Sequence, residues 1–371
     1  MKLTAQIQLQ PTEKQHKRLK ETLERANAAC NTISDYAWAQ QIFNQFALHK
    51  ALYYSVRADT ALTAQLVVRC LSKVADAYKT DKDAKRHFKE HGAIAYDHKI
   101  LKYHTDQQTV SIWTLPGREV IPYVCGAHQR ELLKHQHGES DLVYHRGKWY
   151  LLAVCEIKEP EPDEMDGWLG VDRGVVNVAV ASDGNIYTGA RVEDRRQRYT
   201  RQRRALQKRN THPSHRRLKK TNGKQSRFQK DVNHCTAKEL VKTAKRTKQG
   251  IALENLKGIN LRTRVRHEDR AKRGNWSFDQ LGQYLEYKAA LYGVPFTEVN
   301  PRYTSQRCAE CGHTEKANRR SQSEFLCCKC GHIAHADINA ARNISWVAVN
   351  QPIVPDVPRR SGRRKGTSPA L

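Results

Sequence analysis

No apolar run in this chain of 371 residues reaches the roughly 18 positions that a membrane-spanning helix requires. The opening stretch Met1–Leu9 alternates apolar and polar residues, which is not the apolar core of a secretory signal. The expectation is a soluble cytoplasmic protein with no membrane partner. Acid is scarce: Asp and Glu number 38 against 65 Lys and Arg, a net charge of +27. That imbalance says little about fold and much about partners, because it fits a polyanion, nucleic acid above all. A Gly-rich phosphate loop is also missing, as is any clear Ser/His/Asp or Cys/His arrangement for nucleophilic catalysis. Cysteine is not missing. There are ten, but Cys30, Cys70, Cys125, Cys155 and Cys235 are scattered singly, which suits a reducing compartment better than a disulfide framework.

Four of the remaining cysteines have order. Cys308 and Cys311 form one Cys-x2-Cys knuckle, Cys327 and Cys330 a second, and 15 residues separate them. This is zinc-ribbon spacing. Four thiolates close a tetrahedral Zn²⁺ site that admits no water, so the site is structural. Gly312 and Gly331 follow the knuckles, where a tight turn brings backbone to sulfur. Cys328 breaks the spacing and is a spare.

The alternation of Lys2–Leu9 predicts a half-buried strand. Thr12 is placed as an N-cap, and Leu19, Leu23, Ala26, Cys30 and Ile33 recur at helical spacing behind it. A second helix is expected from about Thr60 to Tyr78. Between the two, Tyr53, Tyr54 and Arg57 offer rings and a cation to bases or sugars, or simply pack a helix pair. From about Ala93 the period changes to two, with a hairpin around Arg146-Gly147. The pattern is a β domain of residues 1–10 and 93–158, interrupted by a helical insert at 11–92. An acidic, Pro-containing linker follows at 159–167.

A second unit begins at Trp168 with an apolar strand ending in Asp172. A hairpin partner follows at Asn177–Ser182, then a strand at Ile186–Thr188. Residues 191–230 are dense in Arg and Lys, broken at His212-Pro213 into two helical arms suited to phosphate contacts. A helix at Asp231–Lys248, an apolar strand at Ile251–Leu256 containing Glu254, a helix at Phe278–Tyr292 and a strand at Pro295–Val299 precede the knuckles. Asp337 opens a last helix, and the tail after Pro352 is basic, Pro-rich and expected to be disordered.

Asp172, Glu254 and Asp337 stand out. Alone, Asp337 is an ordinary N-cap. A carboxylate on an apolar strand, however, is costly to bury unless it is paired or binds a metal. On a hairpin-first sheet followed by helices, the three acids fit the carboxylate set of RNase H-like nucleases, whose hard oxygen donors suit Mg²⁺.

Five strings carry a family resemblance: Gly170-Val171-Asp172-Arg173-Gly174, Asp231-Val232-Asn233-His234, Ile251–Ile259, Tyr303–His313 and Ala336–Ile344. In these the chain resembles the TnpB proteins of bacterial insertion sequences, compact RNA-guided DNA nucleases related to type V CRISPR effectors. The resemblance implies an α+β multidomain fold. Its parts are a wedge β-barrel (1–10 and 93–158), a helical recognition insert (11–92) and the linker. A RuvC-like α/β nuclease domain (168–302 and 335–350) with an inserted zinc ribbon (303–334) and a basic tail (351–371) complete it. It also implies Asp172, Glu254 and Asp337 as Mg²⁺ ligands. The expected partners are a guide RNA from the transposon end, with one protein per RNA, and double-stranded target DNA beside a short motif, in a bacterial or archaeal nucleoid. Base pairing would read the target and the protein the motif. By layout, Tyr53, Ser55 and Gln65 are candidates for reading that motif. Arg307 either reaches the scissile phosphate or braces the ribbon, and Asn255 and Asn339 are placed as supports for the ligands. A nuclease-dead repressor, a DNA strand-transferase and a small CRISPR effector are the competing classes.

Overall fold

A computed structural model of the chain describes residues 1–174, 176–256 and 278–350. The string end Lys257–Ile259 and the tail 351–371 lie outside them. The chain divides into two compact units, Met1–Lys158 and Glu159–Leu371. Among the described residues no helix is long and apolar enough to cross a membrane.

The first unit opens with β1 (Lys2–Leu9), whose Ala5, Ile7 and Leu9 are buried as the alternation requires. Thr12 then caps α1 (Glu13–Gln40) in a capping box with Gln15, and Leu19, Leu23, Ala26, Cys30 and Ile33 face inward. Two helices follow, α2 (Gln45–Thr60) and α3 (Ala64–Thr80). Tyr53–Arg57, expected between helices, is instead the middle of α2. That helix fully buries only Leu48 and Val56, so it shows no apolar stripe; the Asn44 side chain caps its start and Ala61, at φ 54°, ends it.

Strands β2 (Ile94–Tyr96), β3 (Leu101–His104), β4 (Thr109–Thr114) and β5 (Gly117–Val124) follow. Then come a short helix α4 (Ala127–Leu133) and the hairpin β6 (Gln136–His145) and β7 (Lys148–Glu156). Both turn residues of that hairpin, Arg146 and Gly147, have positive φ, as a two-residue hairpin turn demands. The sheet runs β2-β6-β7-β1-β5-β4-β3. Its two edge strands are consecutive in the chain and joined by the turn Asp97–Ile100, closed by Ile100 N–H donating to Asp97 O at 3.1 Å. Four residues span at most roughly 14 Å, so the edges must curl toward each other, and the sheet is barrel-like.

The second unit is built on a five-stranded mixed sheet ordered β10-β9-β8-β11-β12. Strands β8 (Gly167–Asp172), β9 (Asn177–Ala181) and β10 (Ile186–Thr188) are antiparallel neighbours. The basic segment forms α5 (Ala190–Arg209) and α6 (His212–Thr221) and enters α7 (Lys224–Arg246). The break between arms falls at Asn210-Thr211, ahead of the expected His212-Pro213. Thr211 is the N-cap, and Pro213 sits in the first turn of α6, where its missing N–H costs nothing. Strand β11 (Gln249–Glu254) then pairs in parallel with both β8 and β12 (Phe296–Val299), with α8 (Phe278–Tyr292) ahead of β12. The ribbon carries the hairpin β13 (Glu324–Leu326) and β14 (Ile333–His335), and α9 (Ala336–Asn350) ends the described chain.

Period two sorts the sheet into faces. Leu169, Val171, Ile251 and Leu253 pack with Leu240, Val241, Leu281 and Leu285 of α7 and α8. Ala252 and Val299 pack with Ile344 and Val347 of α9 on the opposite face. Gly170 lies on that second face: a Cβ there would stand 2.0 Å from Ala341 O and 2.5 Å from Ser345 N. Only glycine lets α9 lie this close to β8. The acidic segment 159–167, expected as a linker and domain boundary, begins this unit and is bonded to it. Asp163 N–H donates to Gly293 O, its carboxylate meets Lys245 at 2.5 Å, and Asp166 N–H donates to Lys248 O.

Candidate active site

Asp172 and Glu254 close neighbouring parallel strands. The register pairs Val171 with Leu253, so the two acids come next, side by side at the carboxyl end of the sheet. By alternation Asp172 shares the face of Gly170, and Glu254 that of Ala252, which is the face covered by α9. Asp337 stands in the first turn of α9 and is 5 % exposed. Two strand ends and one closely seated helix thus bring together acids that lie 82 and 83 residues apart in the chain, from 172 to 254 and from 254 to 337.

The electrostatics follow from this proximity. Burial, then the charges of Glu254 and Asp337, push the Asp172 carboxyl up to about 8, against the pull of Arg319 and the Arg173 backbone. Burial also raises Glu254, opposed by the Thr304 hydroxyl and by Arg173 and Arg319. Carboxylates that cannot all ionise together are a site that favours a cation.

Glu254 and Asp337 are each held by residues that no sequence pattern marks for the role. The Thr304 hydroxyl donates to Glu254 Oε1. Asn177 Nδ2 donates to Asp337 Oδ2 at 3.1 Å, and Arg319, from the ribbon, donates to Asp337 Oδ1 at 3.2 Å. Arg173 is 8 % exposed and donates from Nη2 to Glu254 O at 2.5 Å. A Cβ on Gly282 of α8 would lie 2.6 Å from Arg173 Nη1, so that glycine makes room for the guanidinium. Asn177, Thr304 and Arg173 adjoin or lie inside the matching strings; Arg319 sits in the ribbon with no local pattern to mark it.

The four knuckle cysteines converge. Cys308 and Cys330 sulfurs are 3.7 Å apart, Cys311 and Cys327 sulfurs 3.6 Å, and all four lie within 4.8 Å of one another. A tetrahedron with Zn–S bonds of about 2.3 Å has edges of about 3.8 Å, so the donor set fits Zn²⁺. The knuckles repeat one geometry. Gly312 N–H donates to Cys308 O and Gly331 N–H to Cys327 O, both at 3.0 Å, and both glycines have φ near +75°, at 75° and 73°. Cys328 is exposed and outside the cluster.

Arg307 is turned toward α9. Its Nη1 donates to Asn343 Oδ1 at 2.9 Å, and its guanidinium lies 3.8 Å from the centre of the Trp346 ring. Asn339 accepts from Ala309 N–H and donates to Arg307 O, so it ties α9 to the first knuckle and not to a carboxylate. Asn255 continues the β11 pairing through its N–H on Val299 O. The motif-reading candidates lie in the first unit. Tyr53 stacks on His49 at 4.6 Å between ring centres, the Ser55 hydroxyl donates to Leu52 O, and the Gln65 amide donates to Asp97.

Fold and site together define a mixed-sheet α/β unit with a three-carboxylate centre and a four-cysteine ribbon. Residues 153–262 match the family model described as "Probable transposase" (OrfB_IS605), and residues 278–344 match "Cas12f1-like, TNB domain". The likeness to TnpB is borne out: the chain is similar to TnpB-like and Cas12f proteins. It is 32 % identical over 218 residues to a putative RNA-guided DNA endonuclease InsQ of Escherichia coli, covering 53 % of each chain. It is 31 % identical over 244 residues to a Cas12f1 endodeoxyribonuclease of Sulfoacidibacillus thermotolerans, covering 60 % of this chain and 56 % of that one. The chain spans about half the length of the curated relatives it matches. The solved structure of a Cas12f1–sgRNA–target DNA complex aligns over 88 % of this chain and 82 % of that one, with a TM-score of 0.59 at 17 % identity, a likeness of fold alone.

Proposed function

We propose that this protein is an RNA-guided, Mg²⁺-dependent DNA endonuclease with a single RuvC-type site. The observation that carries the reading is the convergence of Asp172, Glu254 and Asp337 at the end of a mixed sheet, in a chain with a net charge of +27. The named relatives are a putative RNA-guided DNA endonuclease and a CRISPR-associated endodeoxyribonuclease, and that activity comes to this chain as the proposal. In domain terms, 168–302 with 335–350 would be the RNase H-like nuclease domain, 303–334 its zinc ribbon, 1–10 with 93–158 the wedge, and 11–92 the recognition insert.

Two Mg²⁺ ions held by Asp172, Glu254 and Asp337 would supply an activated water and a stabilised leaving oxygen. The remaining work belongs to the chain's own groups. Thr304 fixes the rotamer of Glu254 through its hydroxyl, and Asn177 fixes Asp337. Arg319 and Arg173 add positive charge beside the acids, which favours their ionised, ligating form and receives the negative charge of a phosphodiester. Arg-rich α5 and α6 hold nucleic acid by its phosphates. The Cys308, Cys311, Cys327 and Cys330 cluster, holding Zn²⁺, fixes the backbone that presents Arg319 and leads into Asp337. Tyr53, Ser55 and Gln65 remain the proposed readers of a short motif beside the target, with one protein per guide RNA.

The test is to sequence the RNA that copurifies with the protein and challenge the complex with plasmids carrying the matching target beside randomised flanks. Mg²⁺-dependent linearisation at a subset of flanks is expected. Tight binding at those flanks with no cleavage would replace the nuclease with a guided repressor, and joined DNA products would indicate strand transfer.

A further inference from the structure

Three exposed apolar side chains lie close in the chain to residues that bond Glu254 or Asp337. Tyr303 is 62 % exposed and immediately precedes Thr304, whose hydroxyl bonds Glu254. Val176 is 59 % exposed and immediately precedes Asn177, whose amide bonds Asp337. Ile333 is 78 % exposed and lies two positions before His335, on the same face of β14, and His335 Nδ1 accepts from Asp337 N–H. Each of these apolar groups costs solvation; Tyr303 and Val176 are one residue from a side chain that bonds a carboxylate, and Ile333 is four residues from Asp337.

Tyr303 carries a second signal. Its φ is +65°, the left-handed region that glycine and asparagine enter readily and a bulky side chain does not. Its carbonyl accepts from both Gln306 N–H and Arg307 N–H at 2.9 Å, a turn that glycine would make without strain. A tyrosine kept in a position suited to glycine, with its ring in water, is not explained by packing. Strained, exposed residues at the edge of a site are where substrate contacts are found.

We propose that Tyr303 is a stacking platform for the unpaired bases that flank the phosphate presented to Asp172, Glu254 and Asp337, with Val176 and Ile333 as further exposed apolar groups close in the chain to Asn177 and Asp337. This rests on the nuclease reading of that site. The carboxylate centre takes the backbone, whereas the bases next to the scissile bond need an apolar surface once they leave a duplex. An aromatic ring provides it for any base sequence. The occupant is the substrate strand itself.

The experiment uses the full chain with its copurified RNA and single-stranded DNA carrying 2-aminopurine at successive positions across the cleaved bond. The wild type should quench the probe at one or two positions beside that bond. Tyr303→Gly and Tyr303→Asn suit the backbone at +65° and should fold at least as well as the wild type. They should abolish the quench and raise KM by roughly 5- to 100-fold, with kcat changed less than about threefold. Tyr303→Trp should restore quench and KM. A purely structural Tyr303 would leave KM and fluorescence of the Gly and Asn variants unchanged, which overturns the proposal. Cleavage with no quench at any position also overturns it while leaving the nuclease reading intact. Quench and binding without cleavage support the platform and sink the nuclease.

Discussion

Replacing Asp172 with asparagine removes one of three like charges while keeping its shape and most of its hydrogen bonding. The folded-state carboxyl titrates at about 8, against 3.8 for an ordinary aspartate. Below 3.8 it is protonated in folded and unfolded chains alike, and its contribution to stability is fully present. Between 3.8 and 8 the unfolded chain ionises while the folded one holds the proton, so stability falls with each pH unit; above 8 the contribution is lost. A rise of about 4 units at about 1.4 kcal/mol each sets a ceiling of about 6 kcal/mol. Water entry and rearrangement of the acids bring the observable part to about 2–3 kcal/mol. For a unit of this size that is a shift in Tm of about 5–10 °C. The assay is thermal unfolding from pH 5 to pH 8.5 in buffer stripped of Mg²⁺ by resin, since a soluble chelator would also attack the ribbon. The wild type should lose stability as pH rises, and Asp172→Asn should flatten the slope and be the more stable protein at pH 8. Added Mg²⁺ should stabilise the wild type far more than the variant. A wild type with flat stability across this range, or a variant less stable at pH 8, refutes the reasoning.

Gly170→Ala should destabilise the second unit by about 3 kcal/mol or more, because its methyl group meets the backbone of α9; denaturant unfolding measures it. Cys311→Ser should lower bound zinc by one equivalent and loosen the ribbon, read by metal analysis and protease sensitivity, whereas Cys328→Ser should retain the metal. Thr304→Val, which keeps the shape and removes the hydroxyl that bonds Glu254, should slow cleavage by roughly tenfold with little change in DNA affinity. Affinity for nucleic acid should fall steeply with salt, with a log–log slope that shrinks by roughly one for each phosphate-contacting Arg of α5 or α6 changed to Gln.

Local pattern carried much of this fold. Alternation in Lys2–Leu9, the Thr12 cap, the hairpin around Arg146-Gly147 and the knuckle spacing each act within a few residues, and all are found as read. Helix α2 was missed because it buries almost nothing, and helical periodicity is visible only when a face is apolar. The acids were legible because a carboxylate at the end of an apolar strand breaks its surroundings. Their holders were not. Asn177 and Arg319 are ordinary polar residues 160 and 18 positions from Asp337, and only the packing of α9 and the ribbon gives them their roles. Its place beside Cys308 left Arg307 open to two readings, a substrate contact or a brace for the ribbon; its guanidinium meets Trp346 and Asn343, from one side of α9.

The central claim is that three acids drawn from two strand ends and one helix form a single cleavage centre. The direct measurement is cleavage and binding of a matched target by the protein with its copurified RNA, for the wild type and for Asp172→Ala, Glu254→Ala and Asp337→Ala. Each variant should bind the target within a few-fold of the wild type and cut neither strand. Full cleavage by any one of them, or loss of a single strand's cleavage only, would contradict the account.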